Sequence, residues 1–146
     1  MVGDPAWCPV AELAPLRSTT HTFYSGSVNW VVILHPAVAG WLAALDDDSR
    51  QQVVAATREL RDNGPALARP LADTVKGSRH RNMKELRPGS AGRSEIRILF
   101  AFDPARRAIL LVAGDKAGRW DTWYKQGIPL ADDRFDEHVT RMREER

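Results

Sequence analysis

The stretch SEIRILFAFDPARRAILLVA (residues 94–113) holds two apolar segments separated by a turn sequence. The first, from Ser94 to Phe102, is rich in isoleucine and phenylalanine and predicts a β-strand. The second, from Ala108 to Ala113, predicts a buried strand that ends at Gly114. Residues 103–106 (DPAR) have turn composition, so the two strands should form an antiparallel hairpin.

The chain before this hairpin predicts one strand and two helices. Val28 to Leu34 (VNWVVIL) is apolar and β-branched, which favours a first strand. Pro36 suits the first turn of a helix, and apolar residues follow it at helical spacing: Val38, Trp41, Leu42 and Leu45. The acidic residues 46–48 end that helix and provide an N-cap for a second, from Ser49 to Asp62. The short connection predicts a helical hairpin.

The remaining segments predict a short strand and a final helix. Residues 82–87 (NMKELR) alternate in polarity and are an ambiguous strand. Residues 115–127 favour a loop and a short helix, and Asp132-Asp133 would cap a last helix. The order of elements predicts an α+β fold. In it, an N-terminal strand and helical hairpin pack on a small, mainly antiparallel sheet, with a C-terminal helix.

Residues 1–27 differ in composition from the rest of the chain. They contain three prolines and a polar run, and they lack helical or strand periodicity. We therefore expect a poorly ordered N-terminal extension over 1–27 and one folded domain over 28–146. Hydrophobic residues make up 43% of the 146-residue chain, which is enough to bury a core.

Several classes of function lack their sequence signals. One cysteine, Cys8, allows no disulfide framework, and no histidine spacing resembles a zinc motif, so we expect no metal and no cofactor. Phosphate-binding glycine loops and the GxSxG nucleophile motif are also missing. No apolar run is long enough to span a membrane, and no signal peptide is recognisable. A cytoplasmic location is the expectation.

The strongest local charge lies between Lys76 and Arg97 (KGSRHRNMKELRPGSAGRSEIR). Seven Lys or Arg residues stand there against two Glu, a local charge of +5 in a chain of net charge +2. Most charge runs are solvated surface. Arg97, however, lies inside an apolar strand between Ile96 and Ile98, where a cation costs stability unless that face is a site. The pattern indicates an anion or nucleic-acid site.

A second cluster mixes cations with aromatic rings: Lys116, Arg119, Trp120, Trp123, Tyr124 and Lys125. Such a mixture can stack bases and bind phosphates. Trp123 is better explained as core, whereas Trp120 fits core and surface equally well. The Tyr124 phenol can transfer a proton.

Together these residues resemble the phage-derived, HigB-like branch of the RelE/ParE toxin superfamily. The resemblance is carried, in order, by KGSRH, MKELRPGS, EIRILFAFDP and GDK, followed by Trp123-Tyr124. It runs from about Trp30 to the C-terminus. It implies a type II toxin, a small cytoplasmic ribonuclease that is partnered by a cognate antitoxin and cuts messenger RNA on the ribosome.

The resemblance also implies the chemistry of such an enzyme. Without a metal, the ribose 2′-OH attacks the adjacent phosphate, which leaves a cyclic phosphate and a free 5′-OH. A base, cations on the developing charge and an acid are then needed. A ParE-like toxin that binds DNA gyrase without cutting RNA is the alternative, and a binding module that has lost activity is a third.

Site residues follow from the same resemblance. Arg97 would stabilise the transition state, Lys84 and Arg79 would bind phosphate, and Tyr124 or His80 would transfer protons. Glu85 and Lys84 also compete for the role of general base. Lys84 and Arg97 are expected to converge on one phosphate across paired strands. The remaining cations would grip RNA: Lys76, Arg81, Arg87, Arg93, Lys116 and Arg119.

Overall fold

The computed structural model describes residues 8–9, 29–89 and 92–145. Six strands lie within them: β1 (Cys8–Pro9), β2 (Val31–Leu34), β3 (Ala72–Thr74), β4 (Lys84–Leu86), β5 (Ile96–Phe102) and β6 (Arg107–Asp115). The same described residues form three α-helices: α1 (Pro36–Ala43), α2 (Asp47–Asn63) and α3 (Trp120–Glu144). A 3-10 turn, Gly64–Ala66, follows α2.

One sheet contains all six described strands, in the order β1-β2-β6-β5-β4-β3. Only β2 and β6 pair in parallel, and the other four pairings are antiparallel. The predicted α+β fold with a mainly antiparallel sheet is therefore confirmed. Its centre is the β5–β6 hairpin, which the two apolar, β-prone segments and the turn composition of residues 103–106 had predicted.

Helices cover both faces of this sheet. On one face, Ile96, Ile98 and Phe100 of β5 pack in a core with side chains of α1 and α2. On the other face, Leu99 and Ala101 pack with α3. Because side chains alternate along a strand, each residue of β5 belongs to one face or the other. The face covered by α3 is called the α3 face below.

The two N-terminal helices form for the reasons the sequence indicated. Val38 and Leu42 of α1 are buried one turn apart. The Asp46 carboxylate caps α2 by accepting a hydrogen bond from the Ser49 N–H at 3.0 Å. Acidic residues in the first turn of α2 also complement the positive end of its dipole.

The C-terminal region corrects the sequence-based prediction. A loop with a short helix, followed by a helix capped at Asp132, was expected, but α3 is continuous from Trp120 to Glu144 through Pro129. Trp123, Gly127, Ala131, Phe135 and His138 form a buried stripe spaced three and four residues apart. Burial of this stripe outweighs the roughly 3 kcal/mol cost of an interior proline.

Length alone does not make α3 a membrane helix. It has 25 residues, yet no helix in the described ranges is apolar enough over a sufficient length to cross a bilayer.

Strand boundaries differ from the prediction by one to three residues at several ends, and one strand was not predicted. β6 does not stop before Gly114 but continues to Asp115. Glycine is required there because a Cβ at Gly114 would lie 2.5 Å from the Trp123 indole nitrogen. The first strand begins at Val31 rather than Val28, which lies outside the described residues. β3 was not predicted, since it has three residues and buries only Ala72.

The predicted N-terminal extension lies mostly outside the described residues. Within 1–27, the structure describes Cys8–Pro9, which pairs antiparallel with β2 at Leu34 and Ile33. The prediction of a poorly ordered extension stays a prediction.

The turn of the β5–β6 hairpin is built around a buried carboxylate. Asp103 accepts hydrogen bonds from the backbone N–H groups of Ala105 and Arg107, from Arg107 Nε, and forms a 2.8 Å contact with His138 Nε2. Burial would raise the pKa of Asp103, but the hydrogen bonds from His138 and Arg107 outweigh it and hold the pKa below 3.8. This network joins the hairpin to α3.

Candidate active site

The α3 face carries a group of polar side chains at the end where β5 begins and β6 ends. Arg97 lies on this face because its neighbours Ile96 and Ile98 are buried on the opposite one. Glu85 of β4 pairs with Leu99, a residue of the α3 face, and so lies on the same face. The first turns of α3 bring Tyr124 over these strands.

Tyr124, Glu85 and Arg87 form a hydrogen-bonded chain. The Tyr124 hydroxyl donates to Glu85 Oε1 at 2.5 Å, and Arg87 Nε donates to Glu85 Oε2 at 2.9 Å. The Glu85 side chain is only 6% exposed, so its charge depends on these partners. Arg87 also contacts Asp73 at 3.3 Å. This contact links the hydrogen-bonded side chains to β3, the edge strand of the sheet.

The environment of Tyr124 keeps its phenol protonated. Burial, followed by the hydrogen bond and charge of Glu85, raises the pKa of Tyr124 to about 12, while the Arg97 guanidinium opposes this shift. At neutral pH the phenol is therefore a proton donor rather than a base. Of the acid and base roles that the sequence left open for Tyr124, this environment favours the acid.

Arg97 is held in place, but one of its N–H groups lacks a hydrogen-bond acceptor among the described residues. One terminal nitrogen donates to its neighbour's carbonyl, Ile96 O, at 2.8 Å. Its Nε is buried and, among the described residues, has no hydrogen-bond partner. The planar, forked guanidinium beside Tyr124 is suited to bind an anion.

Aromatic rings and a lysine extend the site beyond Tyr124. Lys116 Nζ lies 5.6 Å from the Tyr124 ring centre and 5.8 Å from that of Trp120, and it contacts Glu95 at 3.5 Å. Trp123 is buried, as the sequence favoured, and its ring lies 5.1 Å from Tyr124. Trp120, for which the sequence allowed core or surface, is exposed.

The expected convergence of Lys84 and Arg97 is wrong. Lys84 pairs with Phe100 across the sheet. Leu86, two residues further along β4 and therefore on the same side as Lys84, belongs to the core under α1 and α2. Strand alternation therefore directs Lys84 and Arg97 to opposite faces of the sheet. Glu85, which the sequence named only as one competing base, lies on the same face as Arg97 instead.

Arg79 and His80, in the β3–β4 connection, contact a different part of α3. Arg79 forms ion pairs with Asp133 and Asp136, and His80 Nε2 contacts Asp136 Oδ1 at 2.8 Å. Tyr124 and Asp136 are twelve residues apart, about 18 Å along a helix axis. The structure thus does not bring Arg79 and His80 to Tyr124, and their acidic partners indicate that they anchor the β3–β4 connection to α3.

Asp132 is the buried centre of that anchor, and we expect Asp132→Asn to destabilise the protein by about 1–3 kcal/mol. Its carboxylate is 3% exposed and accepts hydrogen bonds from the Ser78 hydroxyl and the Arg79 N–H. An amide cannot accept at both positions. Urea unfolding measures the loss. The matched variant Asp133→Asn, at a neighbouring carboxylate that is 72% exposed, should change stability by less than about 1 kcal/mol. Equal losses would contradict the anchor.

Other predicted RNA-binding cations remain on the surface. Four of them are exposed: Lys76, Arg81, Arg93 and Arg119. Exposed cations such as these can contact the phosphates of a nucleic acid without reading its sequence. Arg119 directly precedes α3 and is adjacent to Trp120. Arg87, by contrast, is committed to Glu85 and Asp73.

Comparisons with known proteins support the resemblance read from the sequence. A family model described as "Phage derived protein Gp49-like (DUF891)" matches residues 40–136, which include every residue of the site. The chain is 56% identical over 116 residues to the Mycobacterium tuberculosis protein named "Putative toxin HigB2". It is also 56% identical over 105 residues to "Putative toxin HigB3" of the same organism.

Coverage differs between these two relatives. The first match takes in 80% of this chain but only 57% of the relative, so the chain spans little more than half of that protein's length. The second takes in 72% of this chain and 90% of the relative. Both the family model and this second relative match most of the described domain. The chain therefore belongs to the HigB-like, phage-derived Gp49 family.

Proposed function

We propose that this protein is the toxin of a type II toxin–antitoxin pair and acts as a metal-independent endoribonuclease on ribosome-bound messenger RNA. The observation that carries the proposal is the placement of Arg97. Its guanidinium lies beside the Tyr124–Glu85 hydrogen bond, and its buried Nε has no partner among the described residues. Membership of the Gp49-like family and the names of its relatives support the toxin part of this proposal.

The arrangement provides a group for each chemical task. The 2′-OH must lose a proton, the phosphate gains negative charge, and the 5′-oxygen must be protonated as it leaves. Glu85 is the proton acceptor in this proposal, Arg97 binds the phosphate oxygens, and Tyr124 donates to the leaving oxygen. Glu85 is available as an acceptor once RNA displaces the Tyr124 hydroxyl from Oε1.

Tyr124→Phe tests the proton-donor role and should lower the cleavage rate by about 100-fold or more. Because the pKa of Tyr124 is about 12, the wild-type rate should show no loss from phenol ionisation up to about pH 10. The measurement is single-turnover cleavage of message on programmed ribosomes, across the pH range in which the ribosomes stay intact. Unchanged cleavage by Tyr124→Phe would remove the donor from the mechanism.

An antitoxin is the natural partner in this proposal. Exposed cations stand close in sequence to residues of the site, Arg93 before Glu95 and Arg119 before Trp120, so an acidic antitoxin segment would be attracted to this surface. Binding between the two proteins should weaken as salt rises, as measured by titration calorimetry at two ionic strengths. Affinity that is independent of salt would contradict an electrostatic contact.

A further inference from the structure

We propose that Trp120 is a stacking platform for one base of single-stranded RNA next to the bond that is cut. The proposal rests on the function proposed above and names how that site holds its substrate. Three observations support it: the exposure of the indole, its position beside Tyr124, and the cation that accompanies it.

Exposure of Trp120 has no structural explanation within the described residues. The side chain is 58% exposed, the largest value among the exposed large hydrophobics there, the others being Val31 and Leu130. Trp123, one turn along α3, is 5% exposed and supplies the packing against the sheet. Trp120 is therefore not needed for that contact, and its open ring face is free to receive another planar group.

Trp120 is adjacent to the proposed chemistry. Its ring centre lies 6.4 Å from that of Tyr124, with the planes at 73°. Tyr124 in turn donates to Glu85. A nucleotide whose phosphate contacts Arg97 and Tyr124 would thus place a neighbouring base within reach of the indole, since adjacent bases of a single strand are separated by only a few ångströms.

Cations are arranged to hold the backbone of a stacked nucleotide. Lys116 Nζ lies near both rings, 5.8 Å from the ring centre of Trp120 and 5.6 Å from that of Tyr124. Arg119 is exposed and precedes Trp120 directly. An aromatic face next to cations is the arrangement by which proteins bind single strands with little dependence on hydrogen bonds to the base. A purine, with its larger ring, should stack better than a pyrimidine.

The test uses a 2′-O-methyl oligoribonucleotide, which can bind but lacks the attacking hydroxyl. Trp120→Leu should weaken its binding by about tenfold, whereas Trp120→Phe, which keeps an aromatic face, should retain most of the affinity. Leu130→Ala is the matched control, because Leu130 is an exposed apolar residue of the same helix. Its affinity should equal that of the wild type. Purine-rich oligonucleotides should bind more tightly than pyrimidine-rich ones, and only when Trp120 is present.

Failure of this inference can be distinguished from failure of the proposed function. If the wild type cleaves RNA while Trp120→Leu binds and cleaves equally well, the platform is overturned and the nuclease stands. If the wild type binds the oligonucleotide through Trp120 but leaves native RNA intact, the platform stands without the nuclease. Absence of binding by the wild type would overturn the platform. In an active enzyme, Trp120→Leu should raise KM more than it lowers kcat.

Discussion

Replacing Arg97 by alanine should lower RNA cleavage by at least about 100-fold, the loss typical of removing one donor to a developing oxyanion. The guanidinium is fixed on the α3 face by its bond to Ile96 O, and its Nε is buried without a described partner. Alanine removes both the charge and the donors. Initial rates of message cleavage on programmed ribosomes, at equal protein concentration, measure the effect.

Two control variants test whether the loss of activity is specific to the position of Arg97. Arg58→Ala removes a cation from the exposed surface of α2 and should leave the rate unchanged. Lys84→Ala removes a cation from the other face of the sheet and should have a much smaller effect than Arg97→Ala. A loss at Lys84→Ala as large as that at Arg97→Ala would contradict the placement of the site on the α3 face. Thermal unfolding of each variant checks that the fold is retained.

The largest expected loss of stability is at Asp103, where alanine should cost about 3 kcal/mol. The carboxylate is fully buried and satisfies two backbone N–H groups as well as Arg107 and His138. Alanine leaves these groups without their acceptor. The value is at the low end for a broken buried ion pair, because Arg107 is 31% exposed and can be solvated. Urea unfolding at neutral pH gives the difference in free energy.

Asp103 also predicts how stability depends on pH. Its pKa is lower in the folded protein than its ordinary value of 3.8, so its contribution is fully present above that value. The contribution is lost as the pH falls through the lower, folded-state pKa. The Asp103→Ala variant should therefore lose less stability on acidification than the wild type. Asp62→Ala, at an exposed carboxylate, should behave like the wild type. Parallel acid unfolding of Asp103→Ala and the wild type would show that Asp103 does not titrate as described.

Prediction of the fold succeeded where local pattern and packing agree. The β5–β6 hairpin and the capped start of α2 at Asp46 have strong signals within a few residues. Helix α3 was misread because Pro129 and nearby glycine favour a break locally, while the stabilising contacts come from the sheet. Gly114 was read as a strand end for a similar reason, since only the Trp123 ring explains it.

For the candidate site, the structure bears on the predicted contacts between residues and not on their predicted roles. Arg97 and Tyr124 were both named, and the structure brings them together. The alternation of residues 82–87 already separated Glu85 and Arg87 from Lys84. It did not reveal which side faced α3, because Met83 and Leu86 are both apolar and lie on opposite sides. His80 and Arg79 could not be assigned to their acidic partners, which lie more than fifty residues away.

The most direct test of the account is to identify the ends of RNA cut by the purified protein. Programmed ribosomes should yield cleaved message with 2′,3′-cyclic phosphate and 5′-hydroxyl ends, and only when Arg97 is intact. The same preparation should leave DNA gyrase supercoiling unaffected. Intact message together with inhibited supercoiling would contradict the nuclease and favour a gyrase-binding toxin.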